Sequence, residues 1–215
     1  SCSYAWFHTS KRSITLNLKN PQGKEIAKRL VSVADVVAEN FTAGTMERLG
    51  LSYEELKQVN PKIIMVSLSA LGQSGPYRSM PALGNFIQAW SGMNSLIGIP
   101  GREHPIECGV PTPDYIGAHL GVMAVIGSLL YRQRTGKGQY IDISLTDSVI
   151  SLMTETVLDT YFASGISIKR GENDLGGAYP YYTVYQTRDG KFVTIGCLEP
   201  WLWANLCQAI GKEEF

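Results

Sequence analysis

Short strand-like stretches alternate with helical stretches through the first 70 residues, and this order restricts the fold more than any other feature. Residues 13–18, 35–39 and 62–68 are apolar or β-branched and are predicted to form strands. Asn20-Pro21 begins the first intervening helix, and Ser52 with Glu55 forms a capping box for the second. The alternation predicts right-handed βαβ units in a mostly parallel sheet, and therefore an α/β fold.

The second half of the chain predicts two apolar helices, a β-hairpin and a final helix. The helices are expected from residue 112 to about 132 and over 146–163, on either side of a strand at 140–145. Asp189-Gly190 predicts the hairpin turn, and Glu199-Pro200 begins the last helix. Because the pattern changes near residue 164, we expect a large domain over 1–165 and the beginning of a small α+β domain over 166–215.

Charge and residue counts argue against several classes of protein. Nineteen basic and nineteen acidic residues give a net charge of zero, which disfavours nucleic acid as a partner. Four cysteines and three histidines show no metal-ligand spacing, so no metal is expected, and a reducing cytoplasm is the expected location. The longest apolar run, 116–130, contains His119 and is shorter than the ~20 residues of a membrane span, so no membrane partner is expected.

Asp114 is the most informative single residue, because it is predicted to lie in the first turn of the long helix. It follows the Pro-rich loop, residues 109–113 (GVPTP). Free backbone N–H groups and the helix dipole favour an ionised carboxylate there. Such a carboxylate can attack an activated acyl group and form a covalent intermediate. A helix-capping role is the commoner use of a first-turn aspartate, and the local sequence alone favours it.

Other candidates lie where strands end or helices begin. Asn40-Phe41 follows a strand and precedes a helix start, a place where βα loops bind ligands, and Arg48 one turn later could contact a phosphate or solvent. Glu199 starts the last helix after a strand, so it is either an active-site acid or a helix-start charge. Gly176-Gly177 fits equally well a mobile loop near a ligand site and a simple linker.

Taken together, the segments resemble the class III coenzyme A transferases, the family of formyl-CoA and carnitine CoA-transferases. The resemblance covers nearly the whole chain and depends on the order and spacing of six segments. They are KRSITLNL (11–18), ENFTAGTMERLGL (39–51), NPKII (60–64), GQSGPY (72–77), QAWSG (88–92) and RTGKGQ (134–139).

The resemblance implies a Rossmann-like large domain and an enzyme that moves CoA from an acyl-CoA to a small carboxylic acid. Asp114 occupies the place of the family's nucleophile, which forms a mixed anhydride and then an aspartyl thioester. Asn40, Phe41 and Arg48 match CoA-binding positions, with Lys11 as a weaker phosphate candidate. CoA is a substrate in this chemistry, and no permanently bound cofactor is implied.

The sister family, the α-methylacyl-CoA racemases, shares the fold and provides the alternative function. Its members use an aspartate that matches Asp114, a glutamate like that of Glu199-Pro200, and a histidine expected between Tyr77 and Gln88. This chain has no histidine there, and racemisation needs a base on each face of the α-carbon. The transferase pattern also often carries an acidic residue near Gly84, which this chain lacks.

Complete members of the family begin with a further strand and return to the large domain after the small one. The chain therefore resembles an internal part of the full enzyme, with a large domain that lacks its first strand. Complete members form interlocked homodimers, so a homodimer is the expected assembly. A truncated, inactive CoA-binding fragment is the third hypothesis.

Overall fold

The computed structural model describes residues 2–98, 101–162 and 177–215, and the chain divides into two compact units. The first unit comprises residues 1–80 and 119–143, and the second comprises 81–118 and 144–215. The domain boundary that the sequence predicts near residue 165 lies outside the described residues and stays a prediction.

Helices and short strands alternate along the chain, as an α/β fold requires. In chain order they are α1 (Cys2–Phe7), α2 (Pro21–Val31), β1 (Val36–Glu39), α3 (Thr45–Leu49), α4 (Tyr53–Val59), β2 (Ile64–Ser69), α5 (Gly84–Trp90), α6 (Met93–Leu96), α7 (Thr112–Thr135), β3 (Tyr140–Ser144), α8 (Leu145–Leu152), α9 (Thr154–Phe162), β4 (Tyr182–Gln186), β5 (Phe192–Gly196) and α10 (Pro200–Ala209).

Local capping signals determine where the helices of the first unit begin. The Asn20 side chain accepts a hydrogen bond from the Gln22 N–H at 2.8 Å, and Pro21 occupies the first turn of α2. The predicted capping box is present at α4: Ser52 and Glu55 each accept the other's backbone N–H. These interactions satisfy amides that the helices leave unpaired, which explains why both starts were predictable.

The sheet of the first unit has the order β1-β2-β3, with β1 and β2 parallel and in register from Val36↔Ile64 to Glu39↔Ser67. Strand β2 is buried along nearly its whole length, as a central strand of a parallel sheet should be. The fully buried residues beside it form one apolar cluster, which contains Val31, Met46, Leu51, Leu56, Ile63 and Met65. This cluster joins α2, α3 and α4 to the sheet.

Residues 13–18, predicted to be a strand, form no strand in the structure. Their alternating, β-branched pattern is compatible with an extended chain, but Ile14 is exposed and no described strand pairs with them. A strand is defined by ladder hydrogen bonds to a neighbour, which local propensity does not provide.

The single helix predicted over 146–163 is divided at Met153 into α8 and α9, and residue 163 lies outside the described residues. Hydroxyl groups bond back to carbonyls of the preceding turn at Ser148, Ser151 and Thr154. Such bonds compete with the regular helix ladder, and three of them lie around the break at Met153. Met153 itself donates its N–H to Ile150, three residues back rather than four.

The second unit ends with the predicted hairpin and final helix. Strands β4 and β5 are antiparallel, in register from Tyr182↔Gly196 to Gln186↔Phe192. Gly190 in the Asp189-Gly190 turn has φ of 80°, a left-handed conformation that favours glycine. Pro200 is in the first turn of α10, as the sequence predicted.

Helix α7 is longer than its apolar run suggested, with 24 residues of mostly apolar character. Length and composition alone would therefore permit it to cross a membrane, contrary to the argument from 116–130. Core helices of soluble proteins satisfy the same criteria, so the finding is weak evidence for a span.

Candidate active site

Asp114 is the third residue of α7, in the first helical turn that the sequence predicted. The loop before it folds tightly, since Thr112 and Asp114 donate their N–H groups to the carbonyls of Val110 and Pro111 at 2.8 and 3.0 Å. Pro113 is fully buried and fixes the backbone at this turn. The position of Asp114 is thus determined by the Pro-rich loop and the helix together.

The carboxyl group of Asp114 lies against Gly84, the first residue of α5. A Cβ atom built on Gly84 would lie 3.2 Å from each carboxylate oxygen of Asp114 and 2.8 Å from Cβ of Pro111. Gly84 is itself buried. The carboxyl group therefore packs against backbone from a segment 30 residues away in sequence.

Burial raises the pKa of the Asp114 carboxyl group above its ordinary value, although the residue as a whole remains exposed. The free N–H groups that the sequence predicted at this helix start are not found, because Thr112, Asp114 and Tyr115 donate theirs to the carbonyls of the preceding loop. Loss of solvation at the carboxyl group is the cause of the upward direction. A less solvated carboxylate is more basic and a better nucleophile than one in bulk water.

Helix α5 is tied to the loop before Asp114 at two further points. The Asn85 amide donates to the Glu107 carboxylate at 3.1 Å, and the Gln88 amide lies 3.9 Å from the Cys108 sulfur. Gln88 is almost fully buried, and it also donates to Asn94 at 2.7 Å. These contacts hold the Pro-rich loop against one side of α5.

Asn40 and Phe41 directly follow β1, as predicted, and both are exposed. The buried Glu39 carboxylate accepts the Phe41 N–H at 2.7 Å, which fixes the turn between strand and helix. Phe41 leaves 44% of its surface exposed, so part of its ring is accessible to a ligand. Glu39 was not among the sequence candidates, although its position one residue before Asn40 could have indicated it.

Arg48 and Lys11, the two candidate phosphate contacts, are both exposed. The Arg48 guanidinium donates to Thr45 Oγ1 at 2.7 Å and lies over Gly44, whose φ of 76° is left-handed. Its position next to the first turn of α3 leaves further N–H donors of the guanidinium for an anion. The Lys11 ammonium donates to the Phe7 carbonyl at 2.6 Å.

A cavity of about 330 Å³ lies in the first unit, but none of the predicted CoA residues lines it. Glu39, Glu47 and Glu54 are among its lining residues, so its charge is unsuited to a phosphate. Tyr140 donates to Ser67 at 3.1 Å within it, and burial raises the pKa of Tyr140. No sequence signal indicated this cavity, because it forms only when β2, β3 and α4 come together.

The remaining candidates belong to the second unit. Glu199 is exposed at the start of α10, and its carboxylate caps none of the helix amides in the part of the chain described. Gly177 has φ of 104° and contributes to a cavity of about 320 Å³ along the β4–β5 hairpin. Gly176 lies outside the described residues.

Of the predicted site residues, the first unit contains Asn40, Phe41, Arg48 and Lys11. The second unit contains Asp114, Gly177 and Glu199. Over residues 2–98, 101–162 and 177–215, no three His, Cys, Asp or Glu side chains are grouped closely enough to bind a metal ion.

Known proteins similar to this chain include proteins named as CoA-transferases and as an acyl-CoA racemase. The chain is 37% identical over 205 residues to succinyl-CoA--D-citramalate CoA-transferase of Chloroflexus aurantiacus, covering 95% of this chain and 50% of that protein. It is 36% identical over 202 residues to human alpha-methylacyl-CoA racemase, covering 94% of this chain and 52% of the racemase. The chain therefore spans about half the length of the curated relatives it matches.

The chain is also similar to a solved structure over nearly its whole length. A crystal structure of a CAIB/BAIF family protein from Brucella suis superposes with a TM-score of 0.76 at 35% identity, covering 98% of this chain and 55% of that one. The family model described as CoA-transferase family III matches residues 1–215, the whole of the sequence. By this match the chain belongs to CoA-transferase family III.

Proposed function

We propose that the protein moves coenzyme A from an acyl-CoA donor to a small carboxylic acid, with Asp114 as the covalent nucleophile. The family assignment supports CoA transfer in general, and relatives named as CoA-transferases carry out transfers of this type. One observation supports Asp114 as the nucleophile: at the start of α7, its carboxyl group packs against Gly84 of α5.

In the proposed cycle, an Asp114 carboxylate oxygen attacks the thioester carbonyl carbon of the donor, and the C–S bond breaks. The products are a mixed anhydride on Asp114 and CoA thiolate. The thiolate then attacks the Asp114 carbonyl, which releases the donor acid and leaves an aspartyl-CoA thioester. The acceptor carboxylate repeats the two steps in reverse, and the aspartate returns to its initial state.

The environment of Asp114 suits this cycle because the residue must act as both nucleophile and leaving group. Partial burial raises its pKa and so increases its basicity as a nucleophile. The dipole of α7 favours negative charge at its first turn and so stabilises a carboxylate as a leaving group. Neither effect requires a metal ion or a redox cofactor.

The CoA moiety is proposed to bind at the β1–α3 turn. Phe41 offers an exposed aromatic face for the adenine or the pantetheine, and Arg48 offers charge-assisted hydrogen bonds to a phosphate. Lys11 adds a second cation for the phosphates. Gly177 and Glu199 stay candidates for the acyl end of the site.

A transfer assay tests the proposed function directly. Full-length protein is incubated with a panel of acyl-CoAs and small carboxylic acids, and new thioesters are measured by liquid chromatography and mass spectrometry. We expect at least one donor–acceptor pair to give a new acyl-CoA with equal loss of the donor. Hydrolysis of donors without a new thioester, across the panel, would contradict transfer.

Racemisation of α-methylacyl-CoA is the second candidate, because a racemase is among the relatives at 36% identity and Glu199-Pro200 matches its pattern. The absence of a histidine between Tyr77 and Gln88 leaves one face of the α-carbon without the expected base. Exchange of the α-proton in deuterated water separates the two functions: a racemase exchanges it without forming a covalent adduct.

The sequence also predicts a homodimer and a cytoplasmic location, and both stay predictions. Sedimentation of the full-length protein tests the first, and fractionation of cells tests the second.

A further inference from the structure

We propose that Gly84 is a positioning residue for the Asp114 carboxylate: the missing side chain at position 84 lets the carboxyl group occupy its reactive place. This inference rests on the proposed function, since it concerns the same nucleophile. It adds Gly84 to the site, although Gly84 has no side chain that could bind a substrate or carry charge.

The space around Gly84 is the first line of support. An added Cβ atom would lie 2.8 Å from Cβ of Pro111, closer than real Cβ contacts come, so one of the two groups would have to move. It would also lie 3.2 Å from both Asp114 oxygens, which is tighter than most such contacts. Any side chain at position 84 would therefore displace either the loop that carries Asp114 or the carboxylate itself.

The backbone conformation is the second line of support, because it removes the commoner reason for a glycine. Gly84 is not among the glycines with positive φ and begins the regular helix α5. An L-residue could therefore adopt its backbone without strain. Glycine is required at this position for space alone, and the atoms that need the space belong to Pro111 and Asp114.

The third line of support is that the surrounding structure resists adjustment. The Pro-rich loop is fastened to α5 by the Asn85–Glu107 hydrogen bond and by the contact of buried Gln88 with Cys108. A methyl group at position 84 cannot be accommodated by moving the loop away without stretching these contacts. Since the Pro111 Cβ cannot rotate away from its 2.8 Å contact, the loop must yield under strain, and we expect the Asp114 carboxylate to shift with the loop that carries it.

Displacement of a nucleophile slows chemistry more than binding. A shift of about 1 Å at a reacting group can cost about 100-fold in rate. We therefore expect Gly84→Ala to reduce kcat about 10- to 100-fold while the KM for acyl-CoA changes less than about twofold. Because the carboxylate would leave its partly buried place, the acidic limb of the kcat–pH profile should also move to lower pH.

The matched control is Gly127→Ala in the middle of α7, where an added Cβ would meet nothing within 4 Å. This variant makes the same chemical change in a helix and should retain wild-type kcat, KM and pH profile. Equal kcat in the Gly84→Ala and wild-type proteins would overturn the proposal, as would a rise in KM with unchanged kcat.

Formation of the covalent adduct separates this proposal from the proposed function. If wild type forms no adduct at Asp114 with acyl-CoA, the nucleophile assignment fails, whatever Gly84→Ala does. If wild type forms the adduct and Gly84→Ala forms it at the same rate, the positioning role alone is wrong. We expect wild type to form the adduct and Gly84→Ala to form it at least about tenfold more slowly.

If Gly84→Ala fails to fold, the double variant Gly84→Ala/Asp114→Ala identifies the cause, because it lacks the carboxylate oxygens. Its folding is compared with that of Asp114→Ala. Folding of the double variant would show that the added methyl group acts through the carboxylate, as proposed. If the double variant also fails to fold, the conflict lies with Pro111 and the proposal is overturned.

Discussion

The β1–α3 turn and the start of α7 hold their candidate residues by different kinds of contact. Phe41 and Arg48 are held by neighbours within three residues, through the Glu39–Phe41 and Arg48–Thr45 hydrogen bonds. The backbone of Asp114 is also held locally, by Pro111, but its carboxyl group packs against Gly84, thirty residues earlier in the chain. The contacts of the binding candidates are thus local, whereas the carboxyl group of the nucleophile also depends on tertiary packing.

This difference predicts unequal consequences of substitution. A residue held by local hydrogen bonds and exposed to solvent can be changed with a graded loss of binding. A partly buried carboxylate in a tight contact has no substitute that keeps both its charge and its shape. The predictions below run from the largest expected effect to the smallest.

Replacement of Asp114 by Asn should abolish transfer, with a loss of at least about 1000-fold in kcat, because an amide cannot form the anhydride. Steady-state assays with the best donor–acceptor pair measure this loss. CoA affinity, measured by calorimetry, should stay within about threefold of wild type. Substantial residual transfer would remove Asp114 from the nucleophile role.

Replacement of Arg48 by Ala should raise the KM for acyl-CoA about 10- to 100-fold with little change in kcat, since a charge-assisted contact contributes about 1.5–3 kcal/mol. The control is Arg29→Ala, because Arg29 is also exposed and lies in the last turn of α2. Arg48→Ala with unchanged KM would exclude Arg48 from the CoA site.

Replacement of Glu39 by Ala should raise the KM for acyl-CoA about fivefold, because the Phe41 N–H loses its acceptor and the turn loosens. Glu39→Gln keeps an acceptor oxygen and should give a smaller effect. Both variants are compared by steady-state kinetics and by thermal unfolding. If Glu39→Gln and Glu39→Ala give the same KM and the same unfolding temperature, the hydrogen bond from Phe41 does not position the turn.

The smallest expected effect is on stability. Because the pKa of Asp114 is raised in the folded protein, its ionisation at neutral pH costs folding free energy, and this cost is lost as the pH falls through the folded pKa. Asp114→Asn should therefore be as stable as wild type or slightly more so at pH 7, by less than ~1 kcal/mol since the residue is exposed. Any advantage should vanish by pH 3.

Chemical unfolding at both pH values measures the difference. A loss of stability at pH 7 in Asp114→Asn would show that the helix-start effect outweighs the lost solvation.

The sequence predicted those parts of the fold that depend on neighbouring residues. Asn20, Ser52 with Glu55, and Asp189-Gly190 each determine their turn or helix start through contacts a few residues away, and all three are present. The strand expected over 13–18 is absent because it needed a distant partner. The helix expected from residue 146 is interrupted at Met153, where hydroxyl-to-carbonyl hydrogen bonds cluster, and apolar periodicity does not detect such bonds.

The same distinction applies to the candidate site. The first-turn position of Asp114 followed from Pro113 and the apolar run after it, whereas the raised pKa did not, since it arises from contact with α5. Gly84 carries no chemical group for a pattern to detect. Its role emerges only when the distance between positions 84 and 114 is known.

Trapping of the covalent intermediate tests the central claim most directly. Full-length wild type is incubated with acyl-CoA, quenched with hydroxylamine, digested and analysed by mass spectrometry. The account predicts a hydroxamate on Asp114, dependent on acyl-CoA and absent in Asp114→Asn. A hydroxamate on Glu199, or none on any carboxylate while transfer proceeds, would contradict it.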